Sequence, residues 1–169
     1  MAETILEIPV RAQEQTLWCW AAITSGISAV YSSTPLAPCK IAARVLTQDC
    51  CHEPLPCNRE ASLDEALGVV GLACTIREVD PNNGSISFQE VGESIVTRRL
   101  PIGARIRDKA TGDAHFVLII GCDPATEKIV CADSYGTVGF PAPRYRMPYA
   151  TFLTKYGNWG VCTDLFFVR

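Results

Sequence analysis

Several features are missing from this sequence, and each absence removes a class of function. No apolar run approaches the roughly 18 residues a membrane-spanning helix needs, and the longest, Phe116-Val117-Leu118-Ile119-Ile120, has the length of a buried strand. An integral helical membrane protein is therefore not expected. No run of five or more Lys or Arg occurs, and 15 basic against 18 acidic residues leave a net charge of −3. Without a basic stripe to neutralise phosphates, neither nucleic-acid binding nor attachment to an anionic membrane is expected. The opening Met1-Ala2-Glu3-Thr4-Ile5-Leu6-Glu7 carries two acids where a secretory signal has a basic segment followed by an apolar one. The expected location is the cytoplasm, or outside the cell by a route that needs no signal peptide. Internal repeats, low-complexity tracts and long polar linkers are also missing, so residues 1–169 are expected to form one domain.

What is present is the composition of a globular chain, 48% apolar and 20% charged, with nine cysteines and only two histidines. A chain of this size buries roughly two thirds of its unfolded surface and needs no metal or disulfide merely to fold. An odd cysteine count leaves at least one thiol unpaired if the others form bridges, and an unpaired thiol is a candidate nucleophile.

The pattern changes near residue 72. Before it, small and apolar residues run on all sides from Cys19 to Tyr31, which predicts a buried central helix beginning at or next to Cys19. A second helix is predicted after Pro38, with Ile41, Ala42, Val45 and Leu46 on one face, followed by a cysteine- and proline-rich loop from Asp49 to Arg59. Ser62-Leu63-Asp64-Glu65 and Ser87-Phe88-Gln89-Glu90 both read as capping boxes opening further helices, the latter ending near Arg99. From Ile102 the text turns to short runs with turn punctuation. Strands are predicted over Ile102 to Asp108, His115 to Gly121, Ile129 to Asp133, Tyr145 to Pro148 and Val161 to Val168. The hairpin-like connections around Gly112 and Pro124 put the strand that opens at His115 between its sequence neighbours. The expected class is α+β, with a helical half over about 11–72 and an antiparallel β half over about 73–169.

Chemistry converges on Cys19. At a helix N-terminus, unpaired backbone N–H groups and the helix dipole favour thiolate over thiol. A nucleophilic thiol needs a base, and of His52 and His115 the latter is the better candidate because it opens the most strongly predicted strand. Asp133 ends the next strand, where its carboxylate would sit beside His115 and fix the imidazole tautomer. Gln13, six residues before Cys19, can supply an oxyanion donor beside the Cys19 backbone N–H. Gln15 competes with it for that role. Taken singly, each residue has a plainer reading, as a packing cysteine, a polar strand end or a turn acid.

Gln13-Glu14-Gln15-Thr16-Leu17-Trp18-Cys19-Trp20-Ala21-Ala22 resembles the active-site segment of papain-like cysteine proteases. The likeness is to the compact bacterial branch that includes type III effector proteases and the leader-cleaving peptidase domains of bacteriocin exporters. It extends through Pro101 to Arg105, Ala114 to Gly121, Val130 to Gly136 and Tyr149 to Phe152. Leu17-Trp18 stands where plant and animal enzymes carry Gly-Ser, and His115 follows Cys19 by only 96 residues, so a cathepsin-type enzyme is not implied. What the resemblance implies is a papain-like fold and a cysteine peptidase that forms a thioester on Cys19. His115 would be its acid and base, Asp133 the group orienting the histidine, and Gln13 the oxyanion donor. Neither cofactor nor metal is implied, and the partner is a peptide or protein substrate met by a monomer, with a host or activating protein as a further partner. An acyltransferase or isopeptidase on the same triad, or a non-catalytic binding module, stands as the alternative.

The cluster Cys39, Cys50, Cys51, His52 and Cys57 lacks the C-x2-4-C pairs usual for zinc, so disulfides, in an oxidising place, or buried free thiols, in the cytosol, are expected ahead of a metal site or a redox module. Cys74, Cys122, Cys131 and Cys162 read as small core residues of strands. Trp18 and Trp20 are expected in the core and cleft wall, Trp159 in the core of the last hairpin, and the Gly136 to Arg144 loop along one wall of the cleft.

Overall fold

A computed structural model describes residues 2–80 and 86–169. The chain runs β1 (Thr4–Ile5), α1 (Cys19–Ser28), α2 (Pro38–Leu46), α3 (Leu63–Val69), β2 (Cys74–Glu78) and α4 (Phe88–Gly92), which widens into a π-helical turn (Glu93–Thr97). It continues through β3 (Ile102–Asp108), β4 (Ala114–Asp123), β5 (Lys128–Asp133), β6 (Arg144–Pro148), α5 (Tyr149–Thr154) and β7 (Gly160–Val168). The class is α+β, and all seven strands form one antiparallel sheet in the order β2-β7-β3-β4-β5-β6, with β1 added against β4. As hairpin chemistry predicts, β4 lies between β3 and β5. Among the described residues no helix is long and apolar enough to cross a membrane.

Helix α1 buries nine of its ten residues, which is why its sequence has no polar face. It packs on α2, α3 and β4. Ala21, Ala22 and Gly26 let neighbours approach closely; a Cβ at Gly26 would meet Val10 Cγ2 at 2.9 Å. The helix ends at Ser28 rather than Tyr31 because the following amides tighten onto carbonyls three residues back, Val30 N–H on Ile27 and Tyr31 N–H on Ser28. At the far end of β4, β1 takes over the edge that β3 leaves after Ile102. Gly121 permits that crossing, since a Cβ there would stand 2.8 Å from the Thr4 carbonyl oxygen.

Of the two predicted capping boxes, only the second forms. Ser87 Oγ accepts from Glu90 N–H at 3.3 Å while Glu90 Oε2 accepts from Ser87 N–H at 2.8 Å. Ser62 caps α3 in an extended conformation, but its side chain makes no capping bond. Helix α5 has no counterpart among the predicted elements. With six residues and only Tyr149 and Phe152 buried, its apolar face is two side chains wide, too little for periodicity to reveal.

Candidate active site

The site starts from strand register. Asp133 pairs with Val117 across β5 and β4, and His115 lies two residues before Val117, on the same face of the pleat. The histidine ring and the carboxylate therefore meet diagonally, His115 Nε2 at 2.6 Å from Asp133 Oδ1. Asp133 takes two further hydrogen bonds, from the Tyr135 N–H to Oδ1 at 2.9 Å and from the Tyr156 hydroxyl to Oδ2 at 2.6 Å. With Nε2 committed to the carboxylate, Nδ1 is the ring nitrogen left for another partner.

Cys19, 7% exposed at the first position of α1, is near enough to the ring to interact with it. Burial pulls the His115 pKa down, but hydrogen bonds and charge from Asp133 and Cys19 outweigh it and raise the pKa from 6.5 to about 9. For Asp133 burial favours the neutral acid, and the His115 contacts, with the Tyr156 and Tyr135 donors, override it and hold the carboxyl below its usual range. Burial and the neighbouring Cys131 and Asp133 push the Tyr156 hydroxyl far up, so it stays a donor. Among the other free thiols, burial pushes Cys131 and Cys162 up to about 12 and raises Cys74 and Cys122 as well.

Gln13 is buried and anchored on Ser134, directly after Asp133. Its N–H donates to the Ser134 carbonyl at 2.8 Å, and the Ser134 hydroxyl donates to Gln13 Oε1 at 2.9 Å. Nε2 donates to the carbonyls of Gln15 at 2.9 Å and Thr16 at 2.6 Å, so the nitrogen end of the amide faces the turn leading to Cys19. Gln15 is half-buried, and its contact with Gln13 is made through its carbonyl.

His115 stands between two cavities. One of about 570 Å³ is lined by Tyr135, Tyr145, Tyr156 and Trp159, together with Asp108 and Asp113. The other, of about 290 Å³, is lined by Cys19, Trp20, Glu60, Arg105 and Phe116. Trp18 and Trp20 are buried as expected, but Trp159 corrects its expectation. It is 37% exposed and its ring centroid lies 6.2 Å from that of His115, because the hairpin that carries it turns toward the cleft rather than the core. The Gly136 to Arg144 loop lines neither cavity, although Tyr135 and Tyr145 at its flanks do. Its backbone is spent on the N-terminal segment instead, Ala12 N–H donating to Phe140 O and Ala142 N–H to Val10 O.

Tyr156 and the Ser134 hydroxyl are site groups that sequence reasoning does not single out. Ser134 carries a local signal, directly after Asp133; Tyr156 carries none, arriving from a hairpin 23 residues away. The cysteine cluster holds two disulfides, Cys39–Cys51 and Cys50–Cys57. Among the described residues no group of three or more His, Cys, Asp or Glu side chains could hold a metal ion. His52 pairs with Asp49 on the exposed surface, away from both cavities.

A helix-start thiol beside an imidazole that a carboxylate orients is suited to acyl transfer through a covalent thioester. No curated protein sequence matches the chain. A family model described as the papain-like cysteine protease AvrRpt2, a family of bacterial type III effectors, matches residues 2–156, and the chain belongs to that family.

Proposed function

We propose that this cysteine protease hydrolyses peptide bonds with Cys19 as nucleophile, His115 as acid and base, Asp133 as the group orienting the histidine, and Gln13 Nε2 with the Cys19 N–H as oxyanion donors. The observation that carries the reading is the 2.6 Å bond from His115 Nε2 to Asp133, which leaves Nδ1 free to serve the Cys19 thiol at the start of α1. The Cys19 thiolate attacks the substrate carbonyl carbon, and the oxyanion moves into the field of the two N–H donors. The C–N bond breaks as His115 gives its Nδ1 proton to the departing amine, leaving a thioester. Water then attacks the thioester, His115 takes the water's proton, and the C–S bond breaks to release a carboxylic acid and the thiolate. Gln13 donates to backbone carbonyls at rest, so one of its N–H bonds must move to the oxyanion as that charge forms.

Incubation with a peptide library, with and without added glycinamide, tests this by product mass. Free-carboxyl fragments that vanish in Cys19→Ala are expected. Glycinamide adducts as the sole products would make the chain an acyltransferase, and the absence of any cleavage by the wild type would overturn the reading.

A further inference from the structure

The loop between α2 and α3 supplies no member of the proposed triad, yet it grips the chain that leads into the nucleophile. It is crosslinked twice, Cys50 to Cys57 within the loop and Cys51 back to Cys39 in the first turn of α2. Beginning with the bridged Cys57, three consecutive residues reach across. The Cys57 carbonyl accepts from Trp18 Nε1 at 2.8 Å, and the Arg59 carbonyl accepts from Trp20 Nε1 at 3.0 Å. Between them Asn58 bonds twice, its Oδ1 accepting from Leu17 N–H at 2.9 Å and its Nδ2 donating to Thr16 Oγ1 at 2.8 Å.

A second observation explains why this grip is needed. Helix α1 begins without a side-chain cap, since Trp18 occupies the capping position and no acid stands in the first turn. The entry to the helix is held from outside. The same entry turn holds the Gln13 amide through the carbonyls of Gln15 and Thr16. Gln13 Nε2 and the Cys19 N–H therefore sit at the two ends of one short turn whose middle is bonded to Asn58.

We propose that Asn58 is a positioning residue for the oxyanion-binding turn, and that the two disulfides hold the loop that presents it. This rests on the hydrolytic reading above. An irregular loop has many conformations in which Asn58 would point elsewhere, and crosslinks remove most of them. Releasing Leu17 N–H and the Thr16 hydroxyl lets the turn drift, and small displacements of oxyanion donors cost transition-state stabilisation. Alkylation of Cys19 passes through no oxyanion, so that reaction is insensitive to the drift.

The test compares wild type, Asn58→Ala, Asn58→Asp and the double variant Cys50→Ser/Cys57→Ser. Three readouts are taken: kcat and KM on a peptide that the wild type cuts, the rate of Cys19 alkylation by iodoacetamide, and hydrogen exchange at the Leu17 amide. In Asn58→Ala, kcat falls about tenfold, less than the roughly 100-fold expected for loss of an oxyanion donor itself. KM and alkylation stay near wild type and Leu17 exchanges faster. The double cysteine variant shows the same split. Asn58→Asp recovers most of kcat, because its carboxylate accepts from Leu17 N–H and from the Thr16 hydroxyl. Unchanged kcat in Asn58→Ala, or kcat and alkylation falling together as in general loss of structure, would overturn the proposal. A wild type that cleaves nothing overturns the hydrolytic reading instead. Leu17 exchange then decides on Asn58 alone, faster exchange in Asn58→Ala supporting the grip and equal exchange refuting it.

Discussion

The two sides of the site are built differently. On the His115 side the pairing itself follows from regular structure: strand register places His115 and Asp133 on one face of neighbouring strands. On the Cys19 side the helix starts without a cap, and its approach is fixed by hydrogen bonds from residues about 40 positions away in an irregular loop stapled by disulfides. The first side is rigid by construction, and the second is rigid only while its distant contacts hold. Changes on the histidine side should therefore act on proton transfer and on thiol reactivity together, whereas changes on the glutamine side should act on turnover alone.

The largest break comes from Asp133→Ala. Without the carboxylate the ring loses its tautomer and orientation, and kcat should fall on the order of 1000-fold or more, with Cys19 alkylation near pH 6 falling as well. Gln13→Ala should lower kcat by roughly 100-fold with little change in KM, and alkylation by iodoacetamide should stay at the wild-type rate. Steady-state kinetics beside alkylation rates separate the two patterns, and identical patterns in both variants would erase the distinction between the sides.

A third effect is on stability. His115 binds its proton more tightly in the folded chain, from 6.5 to about 9, so the protonated ring stabilises the fold fully below about pH 6.5, and that contribution is lost as pH rises through about 9. The melting temperature of wild type should exceed that of His115→Gln by a few degrees near pH 6, and the gap should narrow toward pH 10. A gap that widens with pH would reverse the sign of the His115–Asp133 interaction. The smallest effect is expected of Tyr156→Phe. Removing one donor from Asp133 makes the carboxylate a stronger partner for the imidazolium, so the basic limb of the kcat/KM profile should move to higher pH. The loss in kcat should stay below about tenfold. An unmoved limb would make Tyr156 a packing residue only.

The same division explains what could be read in the sequence. Strands β3 to β7, α1 and α2 announce themselves through local periodicity, whereas β1 and β2 do not, and His115 and Asp133 follow because strand ends and register are local properties. Gln13 is visible through its spacing to Cys19. Asn58, Tyr156 and Trp159 are not, because each reaches the site from a loop or hairpin whose placement depends on the finished tertiary structure. The pairing of Cys39 with Cys51 and of Cys50 with Cys57 has the same character, since spacing alone leaves connectivity open. The capping motifs show the limit even for local signals: Ser87 and Glu90 close their box while Ser62 and Glu65, with the same spacing, do not. The resemblance to papain-like proteases supplied the roles that physics alone left open, above all the choice of Gln13 over Gln15.

The central claim is that Cys19 and His115 act as one unit, and it is tested most directly by the alkylation rate of Cys19 across about pH 4 to 9 in wild type and in His115→Ala, read by mass spectrometry. Peptide mapping assigns the adduct to Cys19 apart from the other four free thiols, whose pKa values burial raises and of which only Cys74 is partly exposed. The account predicts that wild type keeps a substantial rate in the acidic half of the range and that His115→Ala loses it. Superimposable profiles in the two proteins would mean that the imidazole does not activate the thiol, and would contradict the account.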